Sequence, residues 1–406
     1  MKSTRREFLQ QAAVFSALGF APQFLARAAA PGVNAIQGFK DDRVLVVVQL
    51  GGGNDGLNTV VPYGDDAYYR ARPKLGLPSG ELLKINEHLA LNNRLEGLMR
   101  LYDNGKLGII QGVGYPNPDR SHFRSMEIWH TASNSDEYLG HGWIGRYFDN
   151  ECGGEARPQA GLAVDSERPQ AFEGTRGFGI ATDTPSRFGW ERGGLFPDEH
   201  PYELVNAPAP GGGDTLDFLR HTAMSALEGS RQVRAAAERG KVQERLQQRR
   251  SLNHLDTVAG LIRGGLETRI YYVSTSGFDT HANQESLHAN LMKGVGESLA
   301  RFQAQLEADG TADRVTTLVF SEFGRRVKEN ASGGTDHGTA APMFLIGNHV
   351  RSGLHGQAPS LTDLDNGDLK FTTDFRSVYT TLLKDWFDTD PVRILNAEFQ
   401  PLPLLA

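Results

Sequence analysis

At 406 residues, of which 39% are hydrophobic, the chain can bury the core of one large domain or of two ordinary ones. Its formal net charge is −7, and its 42 basic and 49 acidic residues are interspersed rather than blocked, which excludes an electrostatic grip on nucleic acid or anionic lipid. The single cysteine, Cys152, excludes an internal disulfide and leaves any metal site to oxygen and nitrogen ligands, for which 12 histidines are available.

Residues 1–30 combine a basic start, a moderately apolar middle and an Ala-rich end with A-x-A choices around Ala26 to Ala30, the pattern of an export signal. The pair Arg5-Arg6 in "STRREFL" resembles the twin-arginine signal, and Gln, Ser, Gly and Pro interrupt the apolar stretch as that route tolerates. The expectation is a periplasmic or secreted protein that meets the twin-arginine translocase during export. No later segment reaches about 18 apolar residues, so no stable membrane anchor is expected.

"RVLVVVQL" (43–50) is a continuous apolar, β-branched run, the signature of a strand covered on both faces, and it ends in "GGGNDG". "KLGIIQGVG" (106–114) runs into "YPNPDRSHF", "RIYYVSTS" (269–276) into "GFDTH", and "VTTLVF" (315–320) into "SEFGRR". Between them, "NNRLEGLMRLYDNG" and "HANLMKGVGESLARFQAQLEADG" carry apolar residues at helical spacing. Strands alternating with helices predict a mostly parallel sheet with helices on both faces, and such sheets bind ligands beyond the carboxyl ends of their strands. The four polar endings should therefore meet on one edge. Residues 185–255 interrupt the alternation with a Gly/Pro-rich loop and a long charged helical stretch. They read as an inserted helical excursion over the sheet edge, either a cap on the site or a solvated helix with no role in it. "DFRSVYTTLLKDWF" places Val378, Leu382 and Trp386 at helical spacing, for packing. The mature chain, 31–406, is read as a single domain.

The strand endings hold the residues that can do chemistry. Three glycines in "GGGNDG" let the backbone turn and approach a ligand, with Asn54 and Asp55 offering oxygens there; the P-loop Lys-Ser/Thr is missing. Ser121 stands at the expected start of a helix, where the dipole favours an alkoxide or an anionic substrate group, or where it serves only as an N-cap. His122 beside it could act as a general base, but adjacent side chains on a helix diverge, which argues against a Ser-His dyad. Asp279 and His281, two apart at a strand end, can reach one ion. His288 reads as a surface residue. Glu322, Asp336 and His337 flank a Gly/Ser-rich loop tied down at both ends, with Asp336 either a ligand or the partner that orients one. Arg325, Arg326 and Lys328 either stabilise an anion or stay in water.

The combination of "GGNDGLNTVVP", "GFDTH", "SEFGR" and "GTDHG" behind a twin-arginine signal resembles the bacterial domain of unknown function fifteen-zero-one over about residues 43–390. That family is similar, more remotely, to the alkaline phosphatase and sulfatase superfamily. The resemblance implies an alkaline phosphatase-like three-layer sandwich and an exported hydrolase of phosphate or sulfate esters, with one or two divalent ions. It implies Ser121 as nucleophile and Asp55, Asp279, His281, Glu322 and His337 as metal ligands; the reading of the loops adds Asp336 as a ligand or orienting partner, and Asn54 and Arg325 on a small anionic ester substrate. Histidine ligands favour Zn²⁺ or Mn²⁺, with Mg²⁺ and Ca²⁺ allowed. The superfamily's Asp-x-x-x-His is here Asp-x-His, and Phe323 stands where a histidine ligand would. The alternative is a non-catalytic exported binding or assembly protein on the same fold; a metal-free serine hydrolase would lack its G-x-S-x-G.

Overall fold

Residues 39–152, 157–175, 179–189, 203, 206, 215–242 and 252–406 are described by the structure, a computed structural model. The export-signal reading and most of the Gly/Pro-rich loop after Asn206 lie outside these residues. The elements below all belong to the unit Arg43–Ala406.

The nine strands of the main sheet are β1 (Val44–Gly51), β2 (Leu107–Gly114), β3 (Gly161–Ala163), β4 (Ile180–Ala181), β5 (Ile270–Ser276), β6 (Val315–Phe320), β7 (Ala341–Ile346), β8 (Gly353–His355) and β9 (Thr373–Asp374). Their spatial order is β8-β2-β7-β6-β1-β5-β3-β4, with β9 also paired to β2. β1 lies between β5 and β6, parallel to both, with Val48 opposite Val273 and Val319. This central position explains the unbroken valine run: a strand with sheet on both sides and helices on both faces has no wet side. β7 runs antiparallel to both β2 and β6, so β2 points the same way as β6. The carboxyl ends of β1, β2, β5 and β6 consequently share one edge, as the sequence predicts.

Two groups of helices cover the sheet. One contains α2 (Glu96–Asp103), α6 (His254–Arg263) and α7 (Gln284–Ala308); the other contains α3 (His122–Thr131), α4 (Trp143–Glu151), α8 (Phe375–Thr381) and α9 (Pro391–Leu395). A short α1 (Asp66–Ala71) follows β1, and α5 (Thr215–Arg239) precedes α6. Gly97 and Gly296 let α2 and α7 touch backbone to backbone: a Cβ on Gly97 would lie 2.0 Å from the Gly296 carbonyl oxygen. In the second group Trp129 stacks between Phe320 and Phe375, and Trp143 on Tyr379. Val378, Leu382 and Trp386 are buried as their spacing implies. The charged stretch after residue 214 forms α5, which packs against α6 and the turns at 158–160 and 185–187, beside the β3–β4 end of the sheet. No helix among the described residues is long and apolar enough to cross a membrane.

Candidate metal centre

The loops leaving β1, β5 and β6 are stitched together before any site residue is placed. Gly52 has φ +116° and sits so close to the next loop that a Cβ would lie 2.5 Å from the Asp279 backbone nitrogen; Gly53 has φ +72° and its Cβ would lie 2.4 Å from the Phe323 ring. Only glycine fits both positions. The buried guanidinium of Arg325 donates to the carbonyls of Gly53 (2.7 Å), Thr335 (2.9 Å), Phe278 (3.0 Å) and Gly52, and to Asp279 Oδ1 (2.7 Å). Arg325 therefore binds three loops to one another. Sequence reasoning assigns it to a substrate, but at 1% exposure its donors face protein.

α3 brings the β2 ending into the same place. Asn117 turns the chain at φ 51°, Asp119 Oδ1 accepts from the Ser121 N–H at 2.7 Å, and the helix begins at His122. Ser125 Oγ (2.6 Å) and Trp129 Nε1 (2.8 Å) both donate to the Glu322 carbonyl, which docks α3 on the end of β6.

Three imidazoles then converge on Asp279. His122 Nδ1 lies 2.8 Å from Glu322 Oε1, His337 Nδ1 2.8 Å from the Arg120 carbonyl oxygen, and His281 Nδ1 3.3 Å from Asp336 Oδ1. Each Nδ1 partner is an acceptor, so a ring that keeps its proton on Nδ1 presents the Nε2 lone pair. Those lone pairs meet: His281 Nε2 is 2.9 Å from His337 Nε2, and Asp279 Oδ1 is 3.0 Å from His281 Nε2, 3.1 Å from His337 Nε2 and 3.6 Å from His122 Nε2. His122, Asp279 and His337 offer ligand atoms all within 4.8 Å of one another. Burial alone would raise the Asp279 carboxyl, but hydrogen bonds from Arg325 and His337 outweigh it and hold it at about 2, ionised. The hydrogen bond to Glu322 raises the His122 pKa against the opposing effect of burial.

The donor set fits a cation. Two imidazole nitrogens 2.9 Å apart need a proton or a metal ion between them, and His122 Nε2 is buried without a hydrogen-bond partner. Ligands 2.0–2.2 Å from a tetrahedral ion are separated by about 3.3–3.6 Å; Asp279 and His122 are 3.6 Å apart, and Asp279, His281 and His337 stand somewhat closer at 2.9–3.1 Å. Each Nδ1 is held by an oxygen, as metal-ligating histidines require.

Of the residues singled out in the sequence, Asp279, His281 and His337 come together. Glu322 and Asp336 stand behind them: Glu322 Oε1 also accepts from the Gly52 N–H at 2.8 Å and Oε2 from Ser321 Oγ at 3.1 Å, while Asp336 Oδ1 accepts from Asn330 Nδ2 at 3.0 Å. Asp55 is elsewhere, wholly buried, in an ion pair with Arg72 at 2.7 Å and accepting from Gln284. Burial would raise its carboxyl, but Arg72 and Gln284 keep it below the usual range. Asn54 is also internal, its side chain bonded to Thr59 at 3.0 Å and accepting from His288 at 3.0 Å. His288, read as a surface residue, is 3% exposed, because it lies four residues past Gln284 on the inward face of α7 with Met292 and Val295. Ser121 is exposed at the N-cap of α3 and its hydroxyl caps nothing. His122 enters the cluster as the residue sequence reasoning set aside; a dyad with Ser121 was the wrong question to ask of it. An open cleft of about 490 Å³ runs along His122 and Asp279, bordered by Gln49, Phe123, Met126, His130 and Gln170.

Among solved structures, the fold is similar to the C-terminal periplasmic domain of EcEptC from Escherichia coli, with 11% identity, 92% of each chain covered and a TM-score of 0.42. It is also similar to the lipoteichoic acid synthase LtaP from Listeria monocytogenes (10% identity, 80% of this chain and 71% of that one, TM-score 0.37). A protein in the alkaline phosphatase superfamily from Vibrio parahaemolyticus matches at 11% identity, 90% and 72% coverage and a TM-score of 0.37. No curated protein matches the sequence. The family described as Protein of unknown function (DUF1501) matches residues 219–388, a span that contains "GFDTH", "SEFGR" and "GTDHG" and so bears out the resemblance carried by those motifs. Over residues 219–388 the chain is similar to that family.

Proposed function

We propose that the chain is an exported metal-dependent hydrolase of phosphate or sulfate esters. The observation that carries this reading is the meeting of three Nε2 lone pairs and one carboxylate oxygen at the carboxyl edge of the sheet, each ring fixed by an acceptor on Nδ1. His122, Asp279, His281 and His337 would hold one divalent ion, Zn²⁺ or Mn²⁺ by the preference of imidazole, with Mg²⁺ and Ca²⁺ less favoured. Such an ion, when bound, neutralises the charge developing on the ester oxygens and lowers the pKa of a nearby hydroxyl or water.

The protein's own residues do the rest. Glu322 and Asp336 keep the Nδ1 protons in place, and Arg325 holds Asp279 ionised from the side away from the cleft. Ser121 is the proposed nucleophile: it stands at the positive end of the ten-residue α3, next in sequence to His122, with a hydroxyl free of capping duty. The small anionic ester enters from the cleft along His122. Arg5-Arg6 and the Ala-rich end of the leader support export by the twin-arginine translocase to the periplasm or beyond.

One observation favours the second reading, an exported binding or assembly protein: Asp55, which the superfamily resemblance would give to a metal, is neutralised by Arg72, leaving one cluster rather than two among the described residues. Plasma mass spectrometry on mature protein purified without tag or chelator tests both. About one equivalent of metal in wild type, lost in Asp279→Ala/His281→Ala, with ester turnover abolished in Ser121→Ala, supports the hydrolase. Metal without turnover on a broad panel of phosphate and sulfate esters favours the binding protein, and no metal even after reconstitution sinks the hydrolase and leaves a binding protein without an ion.

A further inference from the structure

We propose, on the hydrolase reading above, that the cleft beside the cluster is a subsite for the ester's leaving group and that the group it takes is an uncharged, flat-faced ring standing on Phe123. Phe123 follows His122 on α3, lines the same cleft, and is 91% exposed, the most exposed of the large hydrophobic side chains described. A phenyl ring exposed on the lining of a cleft offers a face on which another ring can stack. Met126, one turn on, shares its helix face and adds a polarisable thioether of the kind that packs on ring edges. Gly51, Gly52 and Gly277 line the same cleft with bare backbone, so a ring can approach closely.

Charge decides what the ring carries. Among the described residues no Lys or Arg lines the cleft, and its carboxylates Glu127, Asp279 and Glu322 are each paired to Arg124, Arg325 or His122, so a leaving group with its own carboxylate or phosphate finds no lysine or arginine on the lining to pair with. The polar atoms left over suit hydroxyls or a ring heteroatom. Gln49 Oε1 accepts from the Tyr272 hydroxyl, and its amide N–H groups remain as donors; Gln170 spends a donor on the Leu139 carbonyl at 3.3 Å and keeps its oxygen. A donor and an acceptor beside an aromatic face recognise either a phenol-like or a sugar-like ring.

The test compares phenyl, glucosyl and ethyl esters of phosphate and of sulfate with wild type, Phe123→Ala and Phe123→Trp, each checked for unchanged melting temperature and metal content. The expected result is a wild-type preference in kcat/KM for the ring esters over ethyl that falls about 3- to 10-fold in Phe123→Ala, the loss of one ring-stacking contact, and is retained in Phe123→Trp. Whichever ring, phenyl or glucosyl, depends more on Phe123 identifies the source of the ring. A ring-to-ethyl ratio unchanged by Phe123→Ala overturns the subsite while leaving the hydrolase intact. Should no ester be turned over, saturation-transfer NMR with phenol and methyl glucoside decides separately. Binding lost in Phe123→Ala then supports the subsite although the hydrolase reading has failed, and absence of binding overturns it.

Discussion

Glu322→Gln separates the orientation of a metal ligand from ligation itself. Glu322 is 2% exposed, and its Oε1 takes hydrogen bonds from His122 Nδ1 and the Gly52 N–H, each at 2.8 Å. Glutamine keeps one oxygen for these bonds but removes the negative charge that fixes the proton on Nδ1 and raises the basicity of Nε2. Loss of such an outer partner weakens metal binding about 10- to 100-fold, or roughly 1.4–2.7 kcal/mol. The same amide change at Asp336 acts across a longer 3.3 Å contact, and the Asp336 side chain is 56% exposed, where water screens its charge. Asp336→Asn should therefore cost less than about tenfold. Zinc competition against a chromophoric chelator, run on wild type and both variants at one pH, measures the order directly. Glu322→Gln within twofold of wild type, or Asp336→Asn as the weaker binder of the two, would refute the assignment of Glu322 to the His122 proton.

Three other outcomes are expected. Asp55→Ala leaves the Arg72 guanidinium buried without its ion partner and should destabilise the fold by about 3–5 kcal/mol in urea unfolding while leaving metal content at the wild-type level; loss of metal would return Asp55 to the ligand set. Gly52→Ala must relieve a 2.5 Å contact with the Asp279 backbone at φ +116°, so it should displace the Asp279 loop and lower metal affinity as well as stability, the latter by about 1–3 kcal/mol. Burial pushes His130 and His288 down to about 4. An unfolded histidine titrates near 6.5, so between those values the unfolded chain binds more protons and stability falls as pH drops, by roughly 3 kcal/mol per histidine at pH 4. His288→Gln should remove about half of that loss in urea midpoints followed from pH 7 to 4, and a flat profile in wild type would contradict the buried placement.

The sheet was legible because its strands advertise themselves. Runs such as "VLVVV" have no polar alternation, so they can only lie inside, and each closes on glycine or a polar residue. The direction of β7 was not legible, since an antiparallel strand between two parallel ones follows from chain routing rather than composition. In the site, "GFDTH" and "TDHG" could be read because both ligand types stand on loops closing a buried strand. His122 could not: nothing in "RSHFRS" distinguishes a helix-first histidine facing the cluster from one facing water, and only the Glu322 carboxylate across the sheet edge makes the difference. The signal that would have found it is the buried Glu322 itself, since a carboxylate at the end of an apolar strand needs a donor from another element. His288 failed for a related reason, because the helix N-terminus that sets its face, Gln284, was not located closely enough.

Two arginines explain why the strand-end acids divide into two kinds. Asp55 and Asp279 both follow buried strands, and both need a positive partner. Arg72, at the end of α1, reaches Asp55 at 2.7 Å inside the protein, where neither side chain touches water, and so satisfies it with a cation the chain supplies itself. Arg325 reaches Asp279 Oδ1 at the same 2.7 Å, but the Asp279 side chain is 49% exposed and three imidazoles approach the same oxygen. A guanidinium there secures the carboxylate's ionisation without closing the approach from the cleft. The first carboxylate is thereby committed to the fold, whereas the second is held charged and left open. Metal affinity should accordingly respond to Arg325 and not to Arg72. Arg72→Lys, which keeps a charge but not the fork that bonds Asp55, Asn58 and two backbone carbonyls, should lower stability with zinc stoichiometry unchanged. Arg325→Lys should weaken zinc binding as the loops carrying Gly52, Phe278 and Thr335 lose their common donor. Equal zinc affinity in both variants would mean that the two acids are not divided in this way.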